Sequence, residues 1–219
     1  MGEANIGTTP ESGATRERLM QEAMRLLAQE GFKAVSLRRI VLAAGARNPS
    51  ALHYHFGTRS HLISSITDML REQIEPPALR ALADLERQPD YRARDVVEAV
   101  FGPVMALRED PAYGRDAVQF LARLGWDYGK DGQELSAALH RRMMLAAVAR
   151  LQTLMPEVDG ETLQFRLILN MNNVYYGLAY RSYMKRSPFG ALSLADPAQG
   201  ERLRRLFIDY MEAGLRGAQ

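Results

Sequence analysis

Gly31, Gly45 and Gly57 each end a run of apolar residues at helical spacing, and this punctuation of the first quarter of the chain is its most restrictive feature. Leu19, Ala23, Leu26 and Leu27 predict a helix over 15–30 that stops at Gly31-Phe32. Ser36 is a suitable N-cap for a short helix over 37–44, with Leu37, Ile40, Val41 and Ala44 on one face and Gly45 as its end. Asn48 followed by Pro49 reads as a cap and a first-turn proline opening a third short helix, which runs to about His55 and closes at Phe56-Gly57. Thr58 can cap a fourth, over 59–73, with Leu62, Ile63, Ile66, Met69 and Leu70 on its apolar side and Pro76 and Pro77 as its stop.

The helical pattern continues in segments near 78–87, 91–107, 112–126, 132–155, 160–185 and 197–216. Asp110-Pro111 and Asp196-Pro197 repeat the cap-then-proline signature, and Gly129, Gly132 and Gly160 mark turns. Alanine and leucine number 57 against 24 for valine, isoleucine and threonine, which favours helix over strand throughout and leaves an all-α fold. The longest stretch without a charge, Leu167 to Tyr180, has 14 residues and three asparagines, too short and too polar for a membrane-spanning helix. Residues 1–13 are small, polar and aperiodic and read as a disordered tail without a signal-peptide pattern, so the expected compartment is the cytoplasm. The absence of cysteine excludes disulfides, thiolate metal sites and cysteine nucleophiles.

The net charge of +2 is unevenly distributed. Residues 14–60 carry eight basic and three acidic side chains, so a small N-terminal block holds all of the positive excess. Arginine outnumbers lysine 25 to 3, and its planar fork suits bidentate contacts to phosphates and guanine edges; a GC-rich genome gives the same bias. Two short helices joined by a glycine turn, packed on a preceding helix and positively charged, are the ingredients of a helix-turn-helix DNA reader whose second helix enters the major groove.

The ordered set of Leu19, Ala23, Leu26, Leu27, Gly31-Phe32, Ser36-Leu37-Arg38-Arg39-Ile40, Ala43-Ala44-Gly45, His55-Phe56-Gly57-Thr58-Arg59 and Leu62 resembles the DNA-binding block of the TetR-like bacterial transcriptional regulators, over residues 15–66. The resemblance implies that Phe56 holds the recognition helix against helix 1 and that Arg59, at a position usually lysine, contacts a phosphate. Two departures stand out: His53 replaces a tyrosine three residues before the phenylalanine, and the stretch from Gly45 to Phe56 is one residue longer than the commonest spacing. The expected division is a tail over 1–13, a three-helix DNA-binding domain over 14–60, and a helical ligand-binding and dimerisation domain over 61–219. Arg47, Asn48, Ser50, Ala51 and Tyr54 are the expected base readers on a double-stranded operator, with Ser36, His53, His55, Thr58 and Arg59 positioning phosphates.

His53, His55 and His61 suggest a metal site, but on a helix residues i and i+2 point about 200° apart and cannot share an ion. No nucleophile and base stand at a readable spacing, so neither catalysis, nor a metal, nor a cofactor is expected. The rival readings are a helical enzyme or metal protein built on these three histidines, and a DNA-binding activator without an effector.

In the C-terminal part the expectation is repression relieved by a mostly apolar small molecule, with Met69, Phe101, Met105, Phe120, Trp126, Asn172 and Tyr176 as pocket candidates. Asn170, Asn172 and Asn173 are poor helix formers placed mid-helix; they either line a pocket, link two subunits or face solvent. A two-fold homodimer matches a palindromic operator, and Leu135, Leu139, Ala146, Ala147, Leu151 and Ala179, on the helices near 132–155 and 160–185, are its interface candidates. Helix 4 is the expected lever between ligand and DNA.

Overall fold

The computed structural model describes residues 10–46, 48 and 50–216. Among these residues the chain forms nine α-helices, three short 3₁₀ turns and no named strand: α1 Pro10–Glu30, α2 Leu37–Ala43, α3 Ala51–Phe56, α4 Arg59–Leu85, α5 Ala93–Arg108, α6 Gly114–Asp127, α7 Gly129–Leu154, α8 Gly160–Ala179 and α9 Gly200–Arg216. The all-α expectation holds. No described helix is long and apolar enough to cross a membrane.

Helices α1 to α3 close around Leu19, Ala23, Leu27, Ile40, Leu52 and Phe56, all buried. The caps work as their residue types predict: Ser36 Oγ accepts from the Arg39 amide at 3.3 Å, and Thr58 Oγ1 from that of His61 at 3.1 Å. Gly45 has φ +63°, a left-handed conformation that favours glycine, and it ends α2. The remaining helices surround α5, with α4 and α7 along it and α8 and α9 closing the far side.

The structure departs from the sequence expectations at several helix boundaries. Residues 10–13, assigned to the tail, belong to α1, and Pro10 suits a first helical position because the amide it lacks would be unbonded there anyway. Helix α3 starts at Ala51 rather than near Asn48, whose Oδ1 instead accepts from the Ser50 amide at 2.8 Å and shapes the turn. Helix α4 does not stop at Pro76 and Pro77 but runs through them to Leu85. Each interior proline costs about 3 kcal/mol, and the buried face runs across them, from Ile74 on one side to Ala78, Leu82 and Leu85 on the other. The three larger of these contribute about 1.5–3 kcal/mol each on burial, a total of the same size as the cost of the two prolines. The segment predicted to be helical as far as 185 leaves α-geometry after Ala179, where the buried Arg181 donates to the carbonyls of Leu194 and Asp196 and pulls the chain into a 3₁₀ turn.

Candidate nucleic-acid interface and regulatory cleft

The outer side of the α2–α3 unit is formed by Asn48, Ser50, His53 and Tyr54, all exposed, with Tyr54 at 74%. Leu52 and Phe56 point inward, so the short helix has one face for the core and one for a partner. Ala51 and His55 are half-buried, and Ser36 and Thr58 are exposed at the helix caps. Arg47 lies outside the described residues.

Arg16 stacks over the Phe56 ring at 5.0 Å, fixing α3 to α1 through a cation–π contact. Burial, and secondarily the Arg16 charge, lower the pKa of His55. This favours a neutral ring, a weaker phosphate partner than an imidazolium.

Arg59 departs from the role that the resemblance implies. Its Nη1 donates to the carbonyl of Val35 and its Nη2 to that of Phe32, so the fork ties the start of α4 to the α1–α2 turn instead of reaching outward. Both carbonyls lie in the non-helical turn between α1 and α2, where no helix hydrogen bond satisfies them. Arg38, which the sequence reading did not select, is exposed and makes no hydrogen bond or ion pair among the described residues, whereas its neighbour Arg39 pairs with Glu30. Position on the exposed first turn of α2 would have pointed to it.

The three histidines are not gathered. His61 Nδ1–H donates to the Phe56 carbonyl at 3.2 Å, and no group of three or more ligating side chains occurs among the described residues.

Two adjoining clefts lie between α6, α7 and α8. The larger, about 740 Å³, is lined by Trp126 of α6, by a face of α7 that includes His140, Arg141, Met144, Leu145 and Val148, and by Leu167, Ile168, Met171 and Asn172 of α8. The second, about 560 Å³, shares Trp126, Met171 and Asn172 with it and adds Arg123, Asp127 and Tyr176. Between them lies a buried hydrogen-bonded pair. His140 Nδ1–H donates to the Ser136 carbonyl at 2.7 Å, which leaves Nε2 to accept the Tyr175 hydroxyl at 2.8 Å. Burial pulls His140 down to about 4 and pushes the Tyr175 phenol up.

The pocket candidates divide on this geometry. Trp126, Asn172 and Tyr176 line the clefts; Phe101 and Phe120 lie within the packed core, Met69 packs against it, and Met105 borders a separate small cleft beside α9. Asn170 and Asn173 donate to the Met211 carbonyl at 3.1 Å and the Tyr210 hydroxyl at 3.3 Å, so both join α8 to α9, while Asn172 remains on the cleft.

The interface candidates need correction. Leu139, Ala147 and Leu151 are buried inside the protomer, as is Ala179, and Leu135 and Ala146 pack against the same core. The apolar stripe of α7 is filled by its own neighbours. Exposed apolar side chains stand instead on the outer ridge of α8, at Phe165, Leu169 and Tyr176, and on α9 at Leu206 and Tyr210.

The two halves of the molecule meet at α6. Helix α1 makes its broadest contact there, the Phe32 ring rests against Phe120 and Tyr128 with centroids 5.3 and 5.1 Å apart, and Gln29 donates to Asp116 at 3.2 Å. At Gly31, with φ +90°, a Cβ would lie 3.0 Å from Arg123 Nη1 and 3.2 Å from Asp127 Oδ2. Those two side chains, paired at 2.9 Å, also line the second cleft. The cleft wall and the end of α1 are therefore in direct contact.

Comparison with known proteins agrees with this architecture. Residues 19–66 match the profile described as bacterial regulatory proteins, tetR family, and residues 98–214 match that of the tetracyclin repressor-like C-terminal domain. The HTH-type transcriptional regulator AcrR of Shigella flexneri is 30% identical over 90 residues, which span 41% of each chain, so the match covers well under half of that relative. The TetR family transcriptional regulator PfmR of Thermus thermophilus superposes with a TM-score of 0.61 over 93% of this chain and 97% of its own, at 17% identity. A TetR family regulator of Marinobacter aquaeolei gives 0.59 over 91% and 96%, at 14% identity. At such identities the two solved structures speak for the fold alone, whereas the two profiles together cover the reading head and most of the C-terminal domain: the chain belongs to the tetR family of bacterial transcriptional regulators.

Proposed function

We propose that this regulator is a repressor that binds a palindromic operator as a two-fold dimer and releases it when a small molecule fills the cleft between α6, α7 and α8. The Arg123–Asp127 pair carries the reading, because it lines the second of the two adjoining clefts on one side and abuts Gly31 on the other. A displacement of α6 that accommodates a ligand moves the end of α1, and through Phe32 and the Arg59 fork it moves the start of α4. This route shares the lever role between α6 and α4.

On the DNA side, Asn48, Ser50, Ala51 and Tyr54 face base edges, while Ser36, His53, Thr58 and Arg38 hold phosphates. Dimerisation uses the Phe165, Leu169 and Tyr176 ridge with Leu206 and Tyr210, since large apolar side chains exposed along neighbouring helices mark an interaction site. The test is a titration of the DNA upstream of the protein's own gene. The reading requires salt-dependent, sequence-specific binding with two-fold stoichiometry, and binding no tighter than to unrelated DNA would overturn it.

A further inference from the structure

Arg141 is the only charged side chain on the larger cleft, and among the described residues it makes no hydrogen bond or ion pair. Among the described residues no carboxylate lines that cleft, and His140, held low by burial, is neutral there at pH 7. In the adjoining cleft the carboxylate of Asp127 is paired with Arg123, whose Nε is buried without an acceptor. The end of α6 at Asp127 and the start of α7 at Gly129 lie two residues apart, so the negative and positive ends of the two helix dipoles largely offset each other beside Trp126. The unneutralised charge facing the two clefts is therefore positive.

The apolar part of the cleft extends to one side of that charge. Met144, Leu145 and Val148 follow Arg141 along α7 toward the α7–α8 connection, and Leu167 and Ile168 face them from the antiparallel α8. The stretch of helix from Arg141 to Val148 gives this trough a length of about 10 Å. Toward α6 the lining becomes polar, with Gln133, Ser136 and Asn172. We infer that the effector is an amphipathic organic anion: a singly charged carboxylate-type head held by Arg141 and Asn172, and an unbranched apolar body lying in the trough between α7 and α8. This rests on the effector reading above and specifies its ligand class.

The test compares three probes of equal chain length at concentrations below micelle formation: dodecanoate, dodecanol and dodecyltrimethylammonium. Trp126, the sole tryptophan, lines both clefts and is 79% exposed, so its emission reports occupancy by shifting to the blue. Dodecanoate is expected to bind about tenfold more tightly than dodecanol, and the cation least well. Arg141→Gln, a change at an exposed helical position, is expected to remove the dodecanoate advantage and leave dodecanol affinity unchanged. Ile168→Tyr, which fills the trough from an exposed position and leaves Trp126 the sole tryptophan, is expected to abolish binding of all three with an unaltered thermal melt. A preference for the cation, or an advantage of dodecanoate that survives Arg141→Gln, overturns the ligand class while leaving an effector site in place. Failure of all three probes to bind overturns both. Binding with the expected selectivity but without effect on operator affinity supports the ligand class and contradicts the regulatory reading.

Discussion

The ring of Phe32, in the turn after α1, lies 5.3 Å from that of Phe120 on α6, so the DNA-reading half and the regulatory half are in direct aromatic contact rather than meeting across a linker. Phe32 also gives its carbonyl to Arg59 at the start of α4, which places one residue in contact with both halves and with the helix between them.

Truncating this contact affects stability and coupling together. Phe120 is fully buried, and Phe120→Ala is expected to lower unfolding free energy by about 3–5 kcal/mol. Phe32→Leu keeps apolar volume and is expected to cost under about 1.5 kcal/mol while weakening effector-driven release of the operator. Urea melts combined with operator titrations check both values.

Arg59 and Arg38 are expected to separate in their salt dependence. Arg59→Ala unties the carbonyls of Val35 and Phe32 and lowers stability by about 1–2 kcal/mol, with the salt slope of DNA binding unchanged. Arg38→Ala leaves the melt unchanged and lowers the slope by about one. Binding measured between about 50 and 200 mM salt distinguishes them, and the reverse pattern would return Arg59 to the phosphates.

His140 makes the fold acid-sensitive. The unfolded chain takes up its proton near pH 6.5 and the folded chain only near 4, so this stability is fully present above about pH 6.5 and is lost as pH falls toward 4. The loss amounts to about 3 kcal/mol. His140→Leu is expected to remove that fraction of the decline, read as the difference between wild-type and variant urea melts at about pH 7 and about pH 4.5.

The oligomeric state tests the outer ridge. Leu169→Arg, at a position 44% exposed in the protomer, is expected to give folded monomers with reduced operator affinity. Arginine at Ala179, which is buried, is expected to damage the fold itself. Sedimentation and circular dichroism of the two variants separate interface from core, and a dimeric Leu169→Arg protein would exclude the ridge.

What could be read in the sequence follows from the range of the interactions. Ser36 and Thr58 bond to amides three residues away, so their type and position reveal the helix starts. Pro76 and Pro77 mislead because the burial of Ile74, Leu82 and Leu85 that carries α4 through them depends on α5 and α7, distant in sequence. The type of Arg59 is visible and the direction of its fork is not, since the receiving carbonyls lie 24 and 27 residues earlier. The same limit explains Leu139 and Ala147: periodicity marks an apolar stripe but does not say whether the protomer or a partner covers it. Asn170, Asn172 and Asn173 look alike in the sequence, and only the bonds of the first and last to α9 leave Asn172 for the cleft.

The most direct test of the account is the affinity of dodecanoate, read by Trp126 emission, for the free protein and for the protein saturated with operator DNA. Because linkage is reciprocal, the factor by which operator weakens dodecanoate binding must equal the factor by which dodecanoate weakens operator binding. The account predicts the same factor, above about fivefold, in both directions. Equal dodecanoate affinity with and without operator would contradict it.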